Sequence, residues 1–184
     1  MNYFCISQQP CDLPRFVEFW SAFYNSVNEE KYEKYIGQEL TADSVKHLFE
    51  WKNGGPLSEK KHNAVSENVI AKLEHLRILP KNMSPDIFLT KEAKGGIIWR
   101  IFLLHIWQHT KYPIFDQHVY RAMVFVKTCK IEELSDYYKV KQQKYISEYL
   151  PFYRDLGAFP QRKLDKALWT FGKFLKSTFV KMIE

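Results

Sequence analysis

At 184 residues the chain is long enough for one domain with a substantial core, or for two small helical lobes sharing a cleft. A hydrophobic content of 46% with 16% aromatics excludes a disordered chain. The net charge of +6, with a pI near 9.1, favours an anionic partner. Cys5, Cys11 and Cys129 form no C-x-x-C pair and read as reduced thiols of a cytosolic protein. The opening MNYFCISQQPCDLPR has neither a basic head nor an apolar run, so no secretory signal is expected.

Helical punctuation then recurs along the chain. Asp12 with Pro14 opens a helix carrying Phe16, Phe19, Trp20, Phe23 and Tyr24 on one face. Thr41 or Asp43 caps a helix through Val45, Leu48, Phe49 and Trp51, stopped by Gly54-Gly55-Pro56. Residues 58–79 place Val65, Val69, Ile70, Leu73, Leu76 and Ile78 at helical spacing ahead of Pro80. Gly95-Gly96 predicts a tight turn with exposed amides. From Ile97 to Trp107 almost every residue is apolar, Arg100 and His105 being the exceptions, so this helix is expected to be the buried post of the domain. It is too short to cross a bilayer, and no membrane partner is expected.

Lys111-Tyr112-Pro113 breaks the post, and Asp116 opens the next helix. Phe115 and Tyr120 fit a hydrophobic staple around that aspartate N-cap. The helix continues to Thr128 with Val119, Ala122, Met123 and Val126 inward. Residues 137–153 read as one long helix of mixed charge, and Pro160 precedes a last helix with Leu164, Leu168, Phe171 and Leu175 on one face. Strand-like alternation is absent. The fold class is all-α, as a compact bundle.

PIFDQHVYRA resembles the P-V-D-T-H-V-x-R segment of the helix-hairpin-helix DNA glycosylase superfamily, which there follows a glycine-containing hairpin and one long buried helix. LDKALWTFGKF is similar to the closing helix of several members. The resemblance implies a single glycosylase-like domain over residues 1–184, with two lobes, a groove between them, and first and last helices that meet. Its motif-bearing core would span about 85–128 and its closing helix about 161–180. The family's aspartate falls on Asp116, its histidine on His118, its arginine on Arg121, and the hairpin's second glycine on Gly96.

Breaking an N-glycosidic bond develops positive charge on the deoxyribose, which a nearby carboxylate stabilises while orienting water. Asp116 suits that role, since a helix start favours the negative form; a plain cap is the other reading. The resemblance implies that His118 and Arg121 support its helix, while Arg121, five after Asp116, could instead pair with a carboxylate elsewhere. The Schiff-base lysine of some members would fall near Ile98, which implies base removal without strand cutting. The hairpin has Lys94-Gly95-Gly96 where the family has a glycine, one residue and a glycine. The amides of Gly95 to Ile97, with Lys91 and Lys94, would face a DNA phosphate, unless this is an ordinary loop between packed helices.

Trp99 and Trp169 are expected in the base pocket, with Trp51 and Trp107 as further stacking candidates, although all four also suit a core. Asn53, Asn82 or Met83 would supply a wedge. His105, His109 and His118 invite a metal reading, but HIWQH carries Ile106 where a zinc motif has glutamate, so no metal is expected. Three cysteines cannot supply a four-cysteine iron–sulfur cluster, and no cofactor is expected. The expected function is a monofunctional N-glycosylase, a hydrolase acting on a damaged or modified base in double-stranded DNA. It would be a cytoplasmic monomer, nucleoid-associated where it binds DNA. Two other readings stay open: a non-catalytic nucleic-acid-binding relative, and an all-α interaction protein.

Overall fold

A computed structural model describes residues 12–26, 28–157 and 159–177. Cys5, Cys11 and the last residues of the expected closing helix lie outside these. Every regular element among the described residues is helical, so the fold is all-α. The chain divides into two compact units, one of residues 25–112 and one built from the residues before and after it.

Within residues 25–112, α2 (Glu29–Tyr35) and α3 (Ala42–Asn53) are tied by Lys31 to Glu50 at 3.0 Å and by the Trp51 indole donating to Glu29 at 3.1 Å. Thr41, not Asp43, caps α3, through a reciprocal pair with Ser44: Ser44 N donates to Thr41 Oγ1 and Thr41 N to Ser44 Oγ. Gly54 closes α3 in the left-handed region at φ 77°. The run expected as one helix over 58–79 is broken. It forms α4 (Glu59–Asn68), a 3-10 turn (Ile70–Lys72) and α5 (Leu73–Ile78). At the break the Asn68 amide donates to Ala64 O, and the bend turns both Val69 and Leu73 inward.

Ser84 caps α6 (Pro85–Ile87), which continues as a π-helical turn over Phe88–Glu92. The post, α7 (Ile97–Trp107), is buried from Ile101 through Trp107. Its His105 is only 1% exposed, and both ring nitrogens are engaged. Nδ1 lies 2.6 Å from Tyr112 O, which can only accept, so Nδ1 carries a hydrogen and the Tyr32 hydroxyl donates to Nε2 at 2.8 Å.

The other unit holds α1 (Leu13–Ala22), α8 (Gln117–Thr128), the stretch from α9 (Tyr138–Gln143) to α10 (Leu150–Asp155), and α11 (Gln161–Leu175). Between α9 and α10 the backbone is π-helical over Lys144–Tyr149. Pro151 explains this, because it lacks an N–H and its ring collides with the carbonyl four residues earlier in a regular helix. Helix α11 packs on both α1 and α8. Phe171 meets Phe16 edge-on at 5.2 Å and Trp20 at 5.0 Å. Against α8 the contact is closer still: a Cβ built on Gly172 would lie 1.9 Å from His118 O. At no other glycine is so close an approach to backbone found, which explains glycine here.

Candidate functional site

Asp116 stands at the N-cap of α8 in extended backbone, with Oδ1 accepting from His118 N at 2.9 Å and Val119 N at 3.3 Å. Phe115 before it and Tyr120 after it form the staple, edge to face at 6.4 Å. Phe115 is buried against Tyr145 and Tyr149 at 5.2 and 5.1 Å, and the Tyr145 hydroxyl donates to Pro113 O. The segment leading into Asp116 is therefore clamped by rings, while Asp116 itself stays half-buried.

Arg121 is completely buried. Its Nη2 donates to both carboxylate oxygens of Glu133, at 2.9 and 2.6 Å, and its Nε reaches Oε1 at 3.2 Å. Nη1 donates to Gly172 O on α11 at 2.7 Å and lies 3.3 Å from His118 Nδ1. Arg121 thus fastens α8 to α11 and to the loop carrying Glu133. Its guanidinium holds the Glu133 carboxyl below the usual carboxylate range. Burial keeps His118 below its ordinary 6.5, with Arg121, Lys173 and Lys176 adding to that and Asp116 opposing it.

Trp169 sits beside this pair, 5.2 Å from the His118 ring and 5.4 Å from Tyr24, with the Lys173 ammonium 4.9 Å above it. Asp116, His118, Arg121 and Trp169 are therefore gathered in one unit. Two residues not singled out from sequence join them. Asp165 lies on the inward face of α11, 3% exposed, and the Tyr149 hydroxyl is buried without a hydrogen bond. Burial pushes the Tyr149 phenol well up, and the fields of Asp165, Tyr153 and Asp116 push it further. The signal for Asp165 was available: an acid standing next to Leu164 on the apolar face of a helix is out of pattern.

The remaining predicted residues belong to the unit of residues 25–112. Lys91 is exposed on the π-helical turn and Lys94 is exposed in the loop after it. Gly95 takes φ 93°, closed to most side chains, and Gly96 is the N-cap of α7, its carbonyl accepting from Trp99 N and Arg100 N. Arg100 steadies the turn by donating to Gly95 O at 2.7 Å and Leu89 O at 3.2 Å. Ile97 is buried as the first residue of α7, and Ile98 is half-buried. Trp99 is half-buried, packing on Phe49 at 5.1 Å with the Lys61 ammonium 5.9 Å from its ring.

Trp51 and Trp107 are core residues, their indoles donating to Glu29 and to Leu76 O. The Asn53 amide closes its own loop on Gly55 O and Pro56 O. Met83 is half-buried and Asn82 exposed. Among the described residues, no group of three or more His, Cys, Asp or Glu is placed to hold a metal ion. A cavity of about 490 Å³ in this unit is walled by Leu40, Arg77, Trp107 and His109. Trp107, a predicted stacking candidate, and His109 line it, and Arg77 there is already met by Glu39, Glu74 and Leu40 O.

No family model, no curated protein and no solved structure matches this chain. Its own residues carry the functional reading. Among the described residues, no helix is long and apolar enough to cross a membrane.

Proposed function

We propose that the chain is a DNA glycosylase-like hydrolase that removes a damaged or modified base, with Asp116 as its reacting carboxylate. One observation carries the reading. The Asp116 carboxylate is fixed by two amides at the start of α8, half-buried, on a helix locked from behind by Arg121. A carboxylate held this way needs no reorganisation as positive charge builds on the sugar. In the step, the C1′–N bond breaks and the base leaves with the electron pair. A water oxygen forms the new C1′–O bond, the water's proton goes to solvent, and the base takes up a proton. Asp116 faces the cationic sugar and orients the water. With Ile98 where a Schiff-base lysine would stand, the product is an abasic site in an unbroken strand.

Asp116→Asn tests this, because asparagine also caps helices well and preserves the fold. The variant should lose about 10²-fold or more in the yield of alkali-labile sites on duplex DNA carrying damaged bases. Equal yields from the two proteins overturn the assignment. Binding by the wild type with no abasic-site formation in either protein leaves the non-catalytic nucleic-acid-binding reading instead.

A further inference from the structure

One face of α11 is built differently from the rest of the molecule. Arg162, Lys166, Trp169, Lys173 and Lys176 follow one another at spacings of four, three, four and three residues. At 3.6 residues per turn all five fall within an arc of about 80°. The opposite side of the helix carries Leu164, Leu168, Phe171 and Leu175, all buried. The basic face is therefore the outward one: Lys173 and Lys176 are exposed, and Arg162, Lys166 and Trp169 are half-exposed.

Aromatic rings lie between the cations. Arg162 donates to the Tyr24 hydroxyl at 2.9 Å, and its guanidinium lies 5.1 Å from that ring. The Lys166 ammonium is 5.4 Å from the same ring, and the Lys173 ammonium 4.9 Å from Trp169. Rings under the side chains hold the charges upright along the helix. Glu133, on which Lys176 acts, is engaged by Arg121, and Glu18 pairs with Lys163, off the row.

We propose that this face of α11 is the track for one DNA strand, its cations spaced along the phosphates and Trp169 offered to a base. From Arg162 to Lys176 the helix rises about 21 Å, the length of about six phosphate steps of one strand. Cations interleaved with rings suit a nucleic-acid strand, since every base offers a face to stack. An acidic protein or an anionic membrane needs the charge alone. The track ends beside His118 and hence beside Asp116, so the proposal rests on the DNA reading above for its place in catalysis.

The test is fluorescence anisotropy of a labelled oligonucleotide, single-stranded and duplex, titrated across a salt series. Lys166→Gln/Lys173→Gln/Lys176→Gln should weaken binding at least tenfold at low salt. It should also flatten the slope of log affinity against log salt by about 2 to 3. The control Lys127→Gln/Lys130→Gln/Lys139→Gln, exposed lysines off α11, should keep the wild-type slope. An unchanged slope in the α11 variant, an equal fall in the control, or no salt-sensitive binding by the wild type overturns the proposal. So does loss of binding to phosphatidylserine vesicles by the α11 variant with DNA binding intact. Asp116→Asn separates the two claims. If it binds with the wild-type slope and neither protein releases a base, the track stands and the chemistry fails. If the α11 variant binds with an unchanged slope while the wild type yields abasic sites, the track fails alone.

Discussion

Replacing Gly172 by alanine puts one methyl group where α8 and α11 touch. The added carbon would sit 1.9 Å from His118 O and 2.6 Å from His118 C, both backbone atoms that cannot swing away. A carbon needs about 3.3 Å from a carbonyl oxygen, so the helices must part by about 1.4 Å. Separation also stretches the 2.7 Å bond from Arg121 to Gly172 O and loosens the Phe16–Phe171 packing on the far side of α11. Overpacking of this kind costs about 3 kcal/mol or slightly more. Alanine's better helix propensity returns about 1 kcal/mol, so the clash wins by about 2 kcal/mol. For a chain of this size that is a fall in melting temperature of about 4–8 °C. Circular dichroism at 222 nm against temperature measures it. A variant melting within a degree of the wild type, or above it, would show that α8 and α11 do not meet at this glycine.

Two further outcomes can be measured. Arg121→Met should cost about 3 kcal/mol, because it strips Gly172 O of its donor and Glu133 of its cation. Glu133→Gln should cost only about 1 kcal/mol, since the Glu133 side chain is 59% exposed and an amide still accepts from Arg121; equal costs in chemical denaturation refute this ordering. Burial lowers both His109 and His118 below 6.5, so the unfolded chain takes up protons first on acidification. The stabilisation is whole above about pH 6.5 and is lost as pH falls through the lowered folded values. Melting temperature should fall from about pH 7 to about pH 5, less so in His109→Gln. A rise across that window would reverse the sign.

What could be read in advance was local in sequence. Asp116, its staple and the caps at Asp12 and Gly54 are residue types at fixed offsets, and backbone geometry ties those offsets to one structure. The post α7 announced itself by having almost no wet face. Helix α2 was missed because EEKYEKY buries only Tyr32 and shows no apolar period. The break at Val69 and the π-helical stretch before Pro151 were passed over because apolar spacing continues across both. Partners distant in sequence were invisible: nothing around Arg121 names Glu133 or Gly172 O, and nothing around Gly172 sets it apart from a tolerated helix glycine. Asp165 was legible as an acid on an apolar face, and the row on α11 as a spacing, but only the coordinates put Tyr24 and His118 beside that row.

The pairing of α1 with α11 sets an order of events during synthesis. Leu13–Ala22 leaves the ribosome early, yet the surface that covers Phe16 and Trp20 is made with Gln161–Leu175. At ribosomal speeds that wait is on the order of ten seconds. Residues 25–112 form a compact unit and can close in the meantime, leaving the amphipathic segment Leu13–Ala22 unsheathed on the nascent chain. Chaperone capture during translation should therefore centre on that segment and end when Gln161–Leu175 emerges.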